Sequence, residues 1–491
     1  MTREIKNLVD KQLFWKTLFE TKNLAAQLTS LAENQDDGVI YDDLLQYGKV
    51  HVVAQSGSNA GDNFQSDTFV VTARLLQGRP EEPINVLSAF IKVLPSNSFL
   101  RQAVNESRVH QREINMYHHF FGLLREMHAD QPIPLDVPDC YYTHVEEVVK
   151  GETDGSSTCI VLQDLKADHY RMLDIKRGVD YHHCHMALTS LAHYHAQTMN
   201  ALRTWKDSST SGELSRVPPA AQFFLDEISM FDMGLTKILQ DFATTVVDLA
   251  KPVNRPDLVE WLTDLQQRLP EIMLVDNLET IGPLACILHG DFWNNNMLFK
   301  YAEQTYHSEE EDGTTNNETA ASANIPVSLK MVDFQQARIG HPLSDVLYFM
   351  YTSTMPELRQ RSMLVLLRYY FDTLTTDLRL LGVSFDNYTW QNFLEDYKKR
   401  SLMWMFAGVL MITMTQNKQV VTTLQDMDAA EKNKDPKPDT NVEPVKGESG
   451  MSLDMEEKMR NMMATRAQSN SSAQSDRILK LILEVKALND S

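Results

Sequence analysis

Two short motifs in the second half of the chain constrain its fold and chemistry more than any other feature. The first reads LHGDFWNNNMLF over residues 288–299 and contains Asp291 and Asn296. The second reads MVDFQ over residues 331–335 and places Asp333 thirty-seven residues after Asn296. Each motif alone suits an ordinary turn, but both follow apolar strand residues and occur in this order. Together they predict a single site.

The combination is typical of phosphoryl transfer. That reaction needs a carboxylate beside the attacking hydroxyl and oxygen ligands that hold Mg²⁺ on the phosphates, because catalysis is mainly positioning and charge stabilisation. In an H-x-D-x-x-x-x-N loop the Asp points into a cleft as base or orienter, and the Asn turns back toward a metal ion. Asp291 and Asn296 match these positions, and Asp333 ends the next predicted strand as a second metal ligand.

The HGD-F-W-x-N-N block followed by V-D-F-Q resembles the ecdysteroid kinase-like family, a branch of the choline kinase and aminoglycoside phosphotransferase group. The resemblance implies an α+β, bilobal protein-kinase-like fold that uses ATP and Mg²⁺ to phosphorylate a small-molecule hydroxyl. It makes Asp291 the catalytic base and Asn296 and Asp333 the Mg²⁺ ligands, while His289 braces the loop. It extends from about residue 45 to about residue 425 and resumes less clearly near Ser475.

A lysine and a glutamate further upstream match other landmarks of that family. Lys92, in the run AFIKV, follows an apolar stretch where the resemblance expects a strand lysine that reaches the ATP phosphates. Its ion-pair partner is expected on the following helix, where Glu113 fits the pattern E-I-x-x-Y. Glu106 is the alternative partner, because two turns of helix bring it to nearly the same direction.

Two further segments are predicted to contact the nucleotide. Residues 61–66 read GDNFQS and resemble a G-[DE]-N-x-x-S hairpin, in which turn N–H groups, Asn63 and the Ser66 hydroxyl cradle phosphates. Residues 161–165 read VLQDL and resemble an L-E-D-L hinge whose backbone binds adenine, with Gln163 and Leu165 at the contact. Gln163 stands where glutamate is usual, so any contribution from that charge is in doubt.

The order of predicted elements favours an α+β fold over a Rossmann sheet, since strands come first and helices follow. Segments rich in β-branched and apolar residues predict strands at 50–54, 69–76, 86–94, 141–149, 159–162, 285–288, 297–301 and 328–332. Helical patterns occupy residues 1–33, 99–126, 180–202 and 218–269. We therefore expect an N-terminal nucleotide-binding lobe over residues 1–163 and a mainly helical C-terminal lobe over residues 164–491.

Two polar segments interrupt the C-terminal lobe. Residues 302–325 contain six carboxylates and no lysine or arginine, so this segment cannot bury a core and predicts a disordered insertion in a hairpin. Residues 426–450 form a polar linker among the C-terminal helices. They are either regulatory segments or tolerated surface loops.

Composition excludes several classes of partner. The formal net charge of -21 repels phosphate backbones, so a nucleic-acid partner is not expected. Four scattered cysteines without a C-x-x-C pair fit a reducing compartment. The charged N-terminus does not resemble a signal peptide, and the apolar run at 402–414 is shorter than the roughly 20 residues that cross a bilayer. We expect a cytoplasmic protein without membrane contact.

A cluster of histidines in the predicted helix 180–202 invites a metal hypothesis, because His182 and His185 could share a face. No cysteine or carboxylate completes an obvious set, so we interpret the segment as core helix. Asp345 falls where the resembled family has a buried structural aspartate near the catalytic loop.

The sequence leaves the acceptor and the activity open. The resemblance points to a hydrophobic alcohol such as an ecdysteroid or a dietary toxin as the small-molecule substrate. The alternatives are a catalytically inactive kinase-like binding protein and a scaffold that recruits partners through its acidic insertion. No motif identifies a protein partner.

Overall fold

The fold is described from a computed structural model of the chain. The described residues are 10–19, 24–33, 39–41, 49–57, 66–76, 85–96, 101, 104–105, 107–146, 155, 157–174, 177–210, 235–251, 254–273, 284–302, 325–384, 387–415 and 472–490. Most of the acidic insertion, the polar linker and Asn63 therefore lie outside the described residues, as do residues 211–234. The predicted lobe boundary stays a prediction.

Six antiparallel strands form the N-terminal sheet in the order β1-β2-β3-β4-β6-β5. Their bounds are β1 Val39–Tyr41, β2 Lys49–Ser56, β3 Asp67–Leu76, β4 Asn85–Val93, β5 Cys140–His144 and β6 Cys159–Gln163. In this register Thr68 of β3 lies opposite Lys92 of β4. The alternation of strand side chains puts Ser66, Thr68 and Lys92 on one face of the sheet.

The other face of the sheet is covered by two N-terminal helices, α1 (Lys11–Phe19) and α2 (Leu24–Glu33). Phe14 and Trp15 of α1 are fully buried and share a core with Val71, Ala89 and Ile91. The sequence predicted one helical region over residues 1–33, and the described residues of that region include helices α1 and α2. Burial of this face leaves the opposite face, with Lys92, for the site.

A nearly continuous helical segment crosses the face that carries Lys92. It consists of α3 (Val109–Asn115), a π-helical turn (Met116–Phe120) and α4 (Phe121–Met127). The sequence predicted a helical pattern from about residue 99, and the described residues 101, 104–105 and 107, before α3, are also helical. A π-turn shifts the face that a helix presents and is frequent near functional sites. This one begins at Met116, three residues after Glu113.

The C-terminal lobe is mainly helical. Its helices are α5 (Tyr181–Thr210), α6 (Leu235–Ala250), α7 (Pro256–Met273), α8 (Leu343–Ser353), α9 (Pro356–Leu380), α10 (Trp390–Thr415) and α11 (Ser472–Asp490). They share one large core with the short strands that follow α7. The apolar run at 402–414 lies inside α10, and no helix in the described part of the chain is long and apolar enough to cross a membrane.

Two small antiparallel ribbons present the motif residues. Strand β7 (Cys286–Leu288) pairs with β10 (Arg338–Gly340), and β8 (Met297–Tyr301) pairs with β9 (Pro326–Met331). Met297 lies opposite Met331, so Asn296 and Val332 come together where this second ribbon ends. An antiparallel sheet with one crossing helix, followed by a mainly helical lobe, is the α+β bilobal protein-kinase-like fold that the sequence predicted.

Candidate active site

Lys92 joins the two halves of the site. Its Nζ donates to Oε2 of Glu113 at 2.6 Å and to Oδ1 of Asp333 at 2.8 Å. Glu113 is fully buried, and the side chain of Asp333 is 18% exposed. Burial alone would lower the pKa of Lys92, but the charges of Asp333 and Glu113 raise it above its usual value. Lys92 is therefore a cation at neutral pH, and the structure shows Glu113 as an ion-pair partner, while Glu106 lies outside the described residues.

The backbone at Asp333 adopts a left-handed conformation with a φ of 69°. A non-glycine residue rarely adopts this conformation and does so mainly where the surroundings enforce it, often at functional sites. The next side chain, Phe334, is fully buried and contacts Tyr117, Phe121 and the ring of His289. This aromatic packing anchors the chain directly after Asp333 and so directs its carboxylate toward Lys92.

The loop that carries Asp291 is held by buried polar contacts. Asp345 of α8 accepts hydrogen bonds from the backbone N–H of His289 at 2.7 Å and of Gly290 at 2.9 Å. The imidazole of His289 donates from Nε2 to the carbonyl of Val332 at 3.0 Å, and burial lowers its pKa. His289 and Asp345 thus link the loop to both the second motif and α8. These contacts agree with the bracing roles expected from the sequence.

Both carboxylate oxygens of Asp291 accept hydrogen bonds from side chains. Tyr348 donates its hydroxyl to Oδ1 at 2.8 Å, and Asn296 donates its Nδ2 to Oδ2 at 3.0 Å. The same amide nitrogen also donates to the backbone carbonyl of Asp291 at 2.9 Å. Because both of these bonds use the nitrogen of Asn296, its amide oxygen is oriented away from the aspartate.

Burial sets the protonation of Asp291. It raises the pKa of the carboxyl to about 6, and the nearby charge of Asp333 adds to the increase. Hydrogen bonds from Tyr348 and Asn296 act in the opposite direction because they stabilise the ionised form. A carboxylate with a pKa near the working pH is suited to exchanging a proton with a bound hydroxyl. The effect of Asp333 also shows that the two motif carboxylates lie near each other.

On the nucleotide side, the structure describes Ser66 but not Asn63. Ser66 is buried, and its Oγ has no hydrogen-bond partner among the described residues. Buried hydroxyls normally have a partner, so this oxygen is available for a ligand. Its place on the Lys92 face fits a phosphate contact. The predicted role of Asn63 stays a prediction.

The hinge segment at residues 163–165 has well-defined contacts. The backbone N–H of Gln163 donates to the carbonyl of Asp139 at 2.8 Å, and its side chain donates to Asp168 at 2.6 Å. The carbonyl of Leu165 accepts from Tyr170 at 2.9 Å. Several groups that the sequence predicted to contact adenine therefore already form hydrogen bonds within the protein. The roles of Gln163 and Leu165 as nucleotide contacts therefore stay predictions.

Two contributors were missed by sequence reasoning. Tyr348 lies one helical turn after Asp345, and this i, i+3 spacing places both on the face of α8 that meets the loop. That spacing was a usable signal. Arg112 is buried and donates from Nη1 to the carbonyl of Gln335 at 2.9 Å, which ties α3 to the second motif. Nothing in the sequence pattern distinguished Arg112 from a surface arginine.

The histidines of α5 contact other side chains of the protein. The ring of His185 stacks on Tyr369 at 3.7 Å between centroids, and His193 contacts Asp377 at 2.5 Å. His195 bridges Tyr370 at 2.7 Å and Asp345 at 3.0 Å. Among the described residues, no three His, Cys, Asp or Glu side chains form a metal-binding group. These contacts support the core interpretation of this helix.

The donor set fits a nucleotide phosphate with a hard divalent cation. Mg²⁺ is bound through carboxylate and carbonyl oxygens together with substrate phosphates. The amide oxygen of Asn296 and the partly exposed carboxylate of Asp333 would hold it. Lys92 supplies positive charge next to Asp333, and the orphaned hydroxyl of Ser66 supplies a hydrogen-bonding group.

The chain matches one family model and is similar to several solved structures at low sequence identity. A sequence model of the ecdysteroid kinase-like family matches residues 60–311 and 315–383. The search of curated proteins gave no match. A macrolide 2'-phosphotransferase type I is similar at 12% identity with a TM-score of 0.33, covering 83% of this chain and 97% of that chain. The GDP complex of wild-type aminoglycoside 2'-phosphotransferase-IIIa is similar at 13% identity with a TM-score of 0.33, covering 84% of this chain and 100% of that chain.

Proposed function

The chain belongs to the ecdysteroid kinase-like family, and from that premise we propose that it transfers the γ-phosphoryl group of ATP to a small-molecule hydroxyl. The acceptor oxygen bonds to the γ-phosphorus while the bond from that phosphorus to the β,γ-bridging oxygen breaks. ADP leaves, and the hydroxyl proton passes to the Asp291 carboxylate. Positioning and charge stabilisation provide most of the rate in such a reaction.

Asp291 orients the acceptor hydroxyl and takes its proton. Its raised pKa, about 6, keeps most of the carboxyl ionised at neutral pH and still basic enough to accept a proton. Asn296 holds one oxygen of this carboxylate, and its own amide oxygen together with Asp333 would hold Mg²⁺. That ion would supply positive charge to offset the negative charge of the phosphates.

Lys92 holds the phosphates, and Glu113 holds Lys92. The Nζ atom of Lys92 lies 2.8 Å from Oδ1 of Asp333 and 2.6 Å from Oε2 of Glu113. The lysine is therefore located where the sheet meets the two motifs. A buried lysine keeps its charge only beside carboxylates, and Glu113 supplies one that is not needed as a metal ligand. The contact with Glu113 therefore stabilises the positive charge of Lys92 while the lysine holds phosphate.

We further propose that the acceptor is a hydrophobic alcohol such as an ecdysteroid. The name of the family supports this choice. Tyr348 contacts Asp291 directly, and Trp293 lies two residues after Asp291 in the loop, so aromatic side chains lie next to the base.

One observation carries the proposal. Lys92 contacts Glu113 from the sheet-side helix and Asp333 from the second motif, while Asp291 and Asn296 contact each other in the first. Five polar side chains from four segments of the chain thus form two contact groups, which are joined by the 3.0 Å hydrogen bond from the backbone N–H of Val332 to the carbonyl of Asn296. A fold kept only for binding would have no need for both the buried base and the cation with its two carboxylates.

The test is ATP-dependent transfer to a panel of sterols, ecdysteroids and phenolic alcohols, followed as a mass gain of one phosphate. We expect the wild-type protein to phosphorylate at least one class of alcohol. Asp291→Asn should lower turnover by about 10³-fold or more, because it removes the base and keeps the shape. Asp372→Asn, an exposed change on α9, is the control and should leave turnover unchanged.

Two outcomes would contradict the proposal. Full activity of Asp291→Asn would remove the assigned role of that residue. ATP binding without transfer to any alcohol or to water would instead favour the inactive kinase-like binding protein.

A further inference from the structure

Among the described residues, Tyr348 donates to the proposed base Asp291 from outside the loop that carries it. It lies in the middle of α8 and is buried, with 8% of its surface exposed. Its hydroxyl donates to Oδ1 of Asp291 at 2.8 Å, while Asn296 holds Oδ2 from within the loop. Tyr348 and Asn296 thus donate hydrogen bonds to different oxygens of the same carboxylate.

A carboxylate held at a single oxygen is poorly oriented. The terminal torsion of an aspartate is broad and roughly two-fold, so one hydrogen bond leaves the plane of the group free to swing. A second donor on the other oxygen fixes that plane. Each oxygen retains a further lone pair, because an ionised carboxylate offers about four acceptor sites. Tyr348 and Asn296 together therefore define the directions in which Asp291 can still accept a hydrogen bond.

The helix that presents Tyr348 is itself tied to the loop at both ends. Asp345, one turn earlier, binds the backbone of His289 and Gly290, and the hydroxyl of Ser353 accepts the backbone N–H of Asn294 at 2.9 Å. Tyr348 lies between these two attachments. These two attachments therefore fix the position of the Tyr348 hydroxyl relative to the loop.

The ring of Tyr348 is also restrained from behind. Trp404 of α10 packs edge-on against it, with ring centroids 5.7 Å apart and an interplanar angle of 66°. Helices α8 and α10 approach closely near this point, since a Cβ added to Gly408 would lie 2.9 Å from the Cβ of Tyr351. The phenol therefore has little freedom to turn away from Asp291.

We propose that Tyr348 is a positioning residue that fixes the plane of the Asp291 carboxylate, so that its remaining lone pairs face the acceptor hydroxyl. This inference rests on the proposed function. The competing explanation is that Asp291 merely satisfies a buried phenol, as any buried tyrosine requires a partner. The two explanations predict different kinetics for a variant that lacks the Tyr348 hydroxyl. If Asp291 only satisfies the buried phenol, loss of the hydroxyl changes stability and leaves the transfer step unchanged.

Tyr348→Phe removes only the hydroxyl, and Tyr351→Phe is the matched control. Tyr351 is a fully buried tyrosine three residues later on the same helix, and it has no contact with Asp291 among the described residues. Both variants lose one buried hydroxyl. We expect the loss of turnover to be specific to position 348.

Three quantities are measured for both variants: turnover with a saturating alcohol acceptor, KM for ATP, and the rate of ATP hydrolysis without acceptor. For Tyr348→Phe we expect transfer to fall by about 10- to 100-fold with an unchanged KM for ATP, because misorientation acts on the transition state. Hydrolysis should fall less, since a water molecule can reorient toward a misplaced base more readily than a bulky alcohol. Tyr351→Phe should remain within about two-fold of the wild type in all three.

The proposal is overturned if Tyr348→Phe keeps wild-type transfer, or if both variants lose transfer and hydrolysis equally. Failure of the proposed function looks different, because Asp291→Asn would then retain full transfer. Loss of transfer in Asp291→Asn together with normal transfer in Tyr348→Phe would reject the positioning role alone. Thermal midpoints of both variants show whether the fold is retained.

Discussion

The side-chain nitrogen of Lys92 lies 2.8 Å from Oδ1 of Asp333, although 241 residues separate them along the chain. One residue belongs to strand β4 of the sheet, and the other follows strand β9 of the helical lobe. An ion pair at this place joins the two lobes through the same groups that are proposed to hold phosphate and metal. Under the proposed function, the charges of Lys92 and Asp333 would therefore both hold the ligand and connect the two lobes.

Lys92→Met should abolish function and weaken the fold. It leaves Glu113 and Asp333 without their shared cation, and removing one partner of a buried ion pair typically costs about 3–5 kcal/mol. We expect ATP affinity, measured by calorimetry, to fall by at least about 100-fold, because the phosphates lose their principal charge. Urea denaturation gives the loss of unfolding free energy.

Lys251→Met is the control for that substitution. Lys251 is exposed and, within the described part of the chain, pairs with the exposed Asp248, so its loss should leave ATP affinity unchanged. Nucleotide affinity that survives in Lys92→Met would contradict the assigned phosphate contact.

Gly290 and Gly382 form a natural pair for testing the shape of the catalytic loop. Both have a positive φ, 84° and 73° respectively. A Cβ at Gly382 meets nothing within 4 Å, whereas a Cβ at Gly290 would lie 1.9 Å from the carbonyl oxygen of Gln336. Gly382→Ala should cost only about 1–2 kcal/mol of conformational strain. Gly290→Ala must also displace the backbone behind the second motif.

We therefore expect Gly290→Ala to destabilise the protein more than Gly382→Ala and to lower turnover by about 100-fold. Turnover of Gly382→Ala should match the wild type. Equal unfolding free energies for the two variants would show that the loop is not packed as described.

The catalytic motifs were predictable because their residues are close in sequence or follow strands with clear apolar patterns. The H-x-D-x-x-x-x-N spacing fixes Asp291 and Asn296 within one loop, and strand β9 delivers Asp333 beside them. The resemblance and the preceding apolar run predicted the role of Lys92, and β4 places this residue on the face of the sheet that carries the site. In each case local geometry determines the position of the side chain.

Contacts that depend on the packing of distant helices were not predictable. Tyr348 reaches Asp291 only because α8 lies against the loop, and Arg112 reaches Gln335 only because α3 crosses the sheet at one particular height. The contact of Glu113 with Lys92 likewise depends on how α3 packs against the sheet. Helical periodicity predicts which residues share one face of a helix, but it does not predict which other segment packs against that face.

His110 predicts a pH-dependent component of stability. It is buried on α3, three residues before Glu113, and burial together with the charge of Lys92 lowers its pKa to about 3. Below its ordinary pKa of 6.5, the unfolded chain binds a proton that the folded protein does not. The unfolding free energy should therefore decrease by up to about 1.4 kcal/mol per pH unit as the pH falls from about 6.5 toward 3.

His110→Gln removes this contribution and keeps a polar side chain of similar size. Urea denaturation of both proteins from pH 8 to pH 4 isolates the effect, because Asp291 and the other buried groups are common to both. The variant should lose less stability between pH 6.5 and pH 4 than the wild type does. Parallel curves for the two proteins would contradict a buried, neutral His110.

The C-terminal helix α11 supports the catalytic loop through a buried arginine. Arg477 donates from Nη2 to the carbonyl of Thr352 at 2.6 Å and to that of Thr354 at 3.3 Å, at the end of α8. Cations at a helix C-terminus satisfy carbonyls that have no partner in the helix and interact favourably with its dipole. Arg359 donates to the same carbonyl of Thr354 at 2.8 Å.

Arg477→Met should therefore destabilise the protein by about 2 kcal/mol, near the lower part of the range for a lost buried charge interaction. The loss is moderated because the two arginines repel each other: burial, and then the charge of Arg359, lowers the pKa of Arg477 to about 10. Lys480→Met on the same helix is the matched control, since Lys480 forms only exposed ion pairs with Glu357 and Asp476. Because α8 carries Tyr348 and Asp345, turnover should decrease in Arg477→Met and remain unchanged in Lys480→Met. If the two variants instead show the same unfolding free energy and turnover, α11 does not stabilise the end of α8.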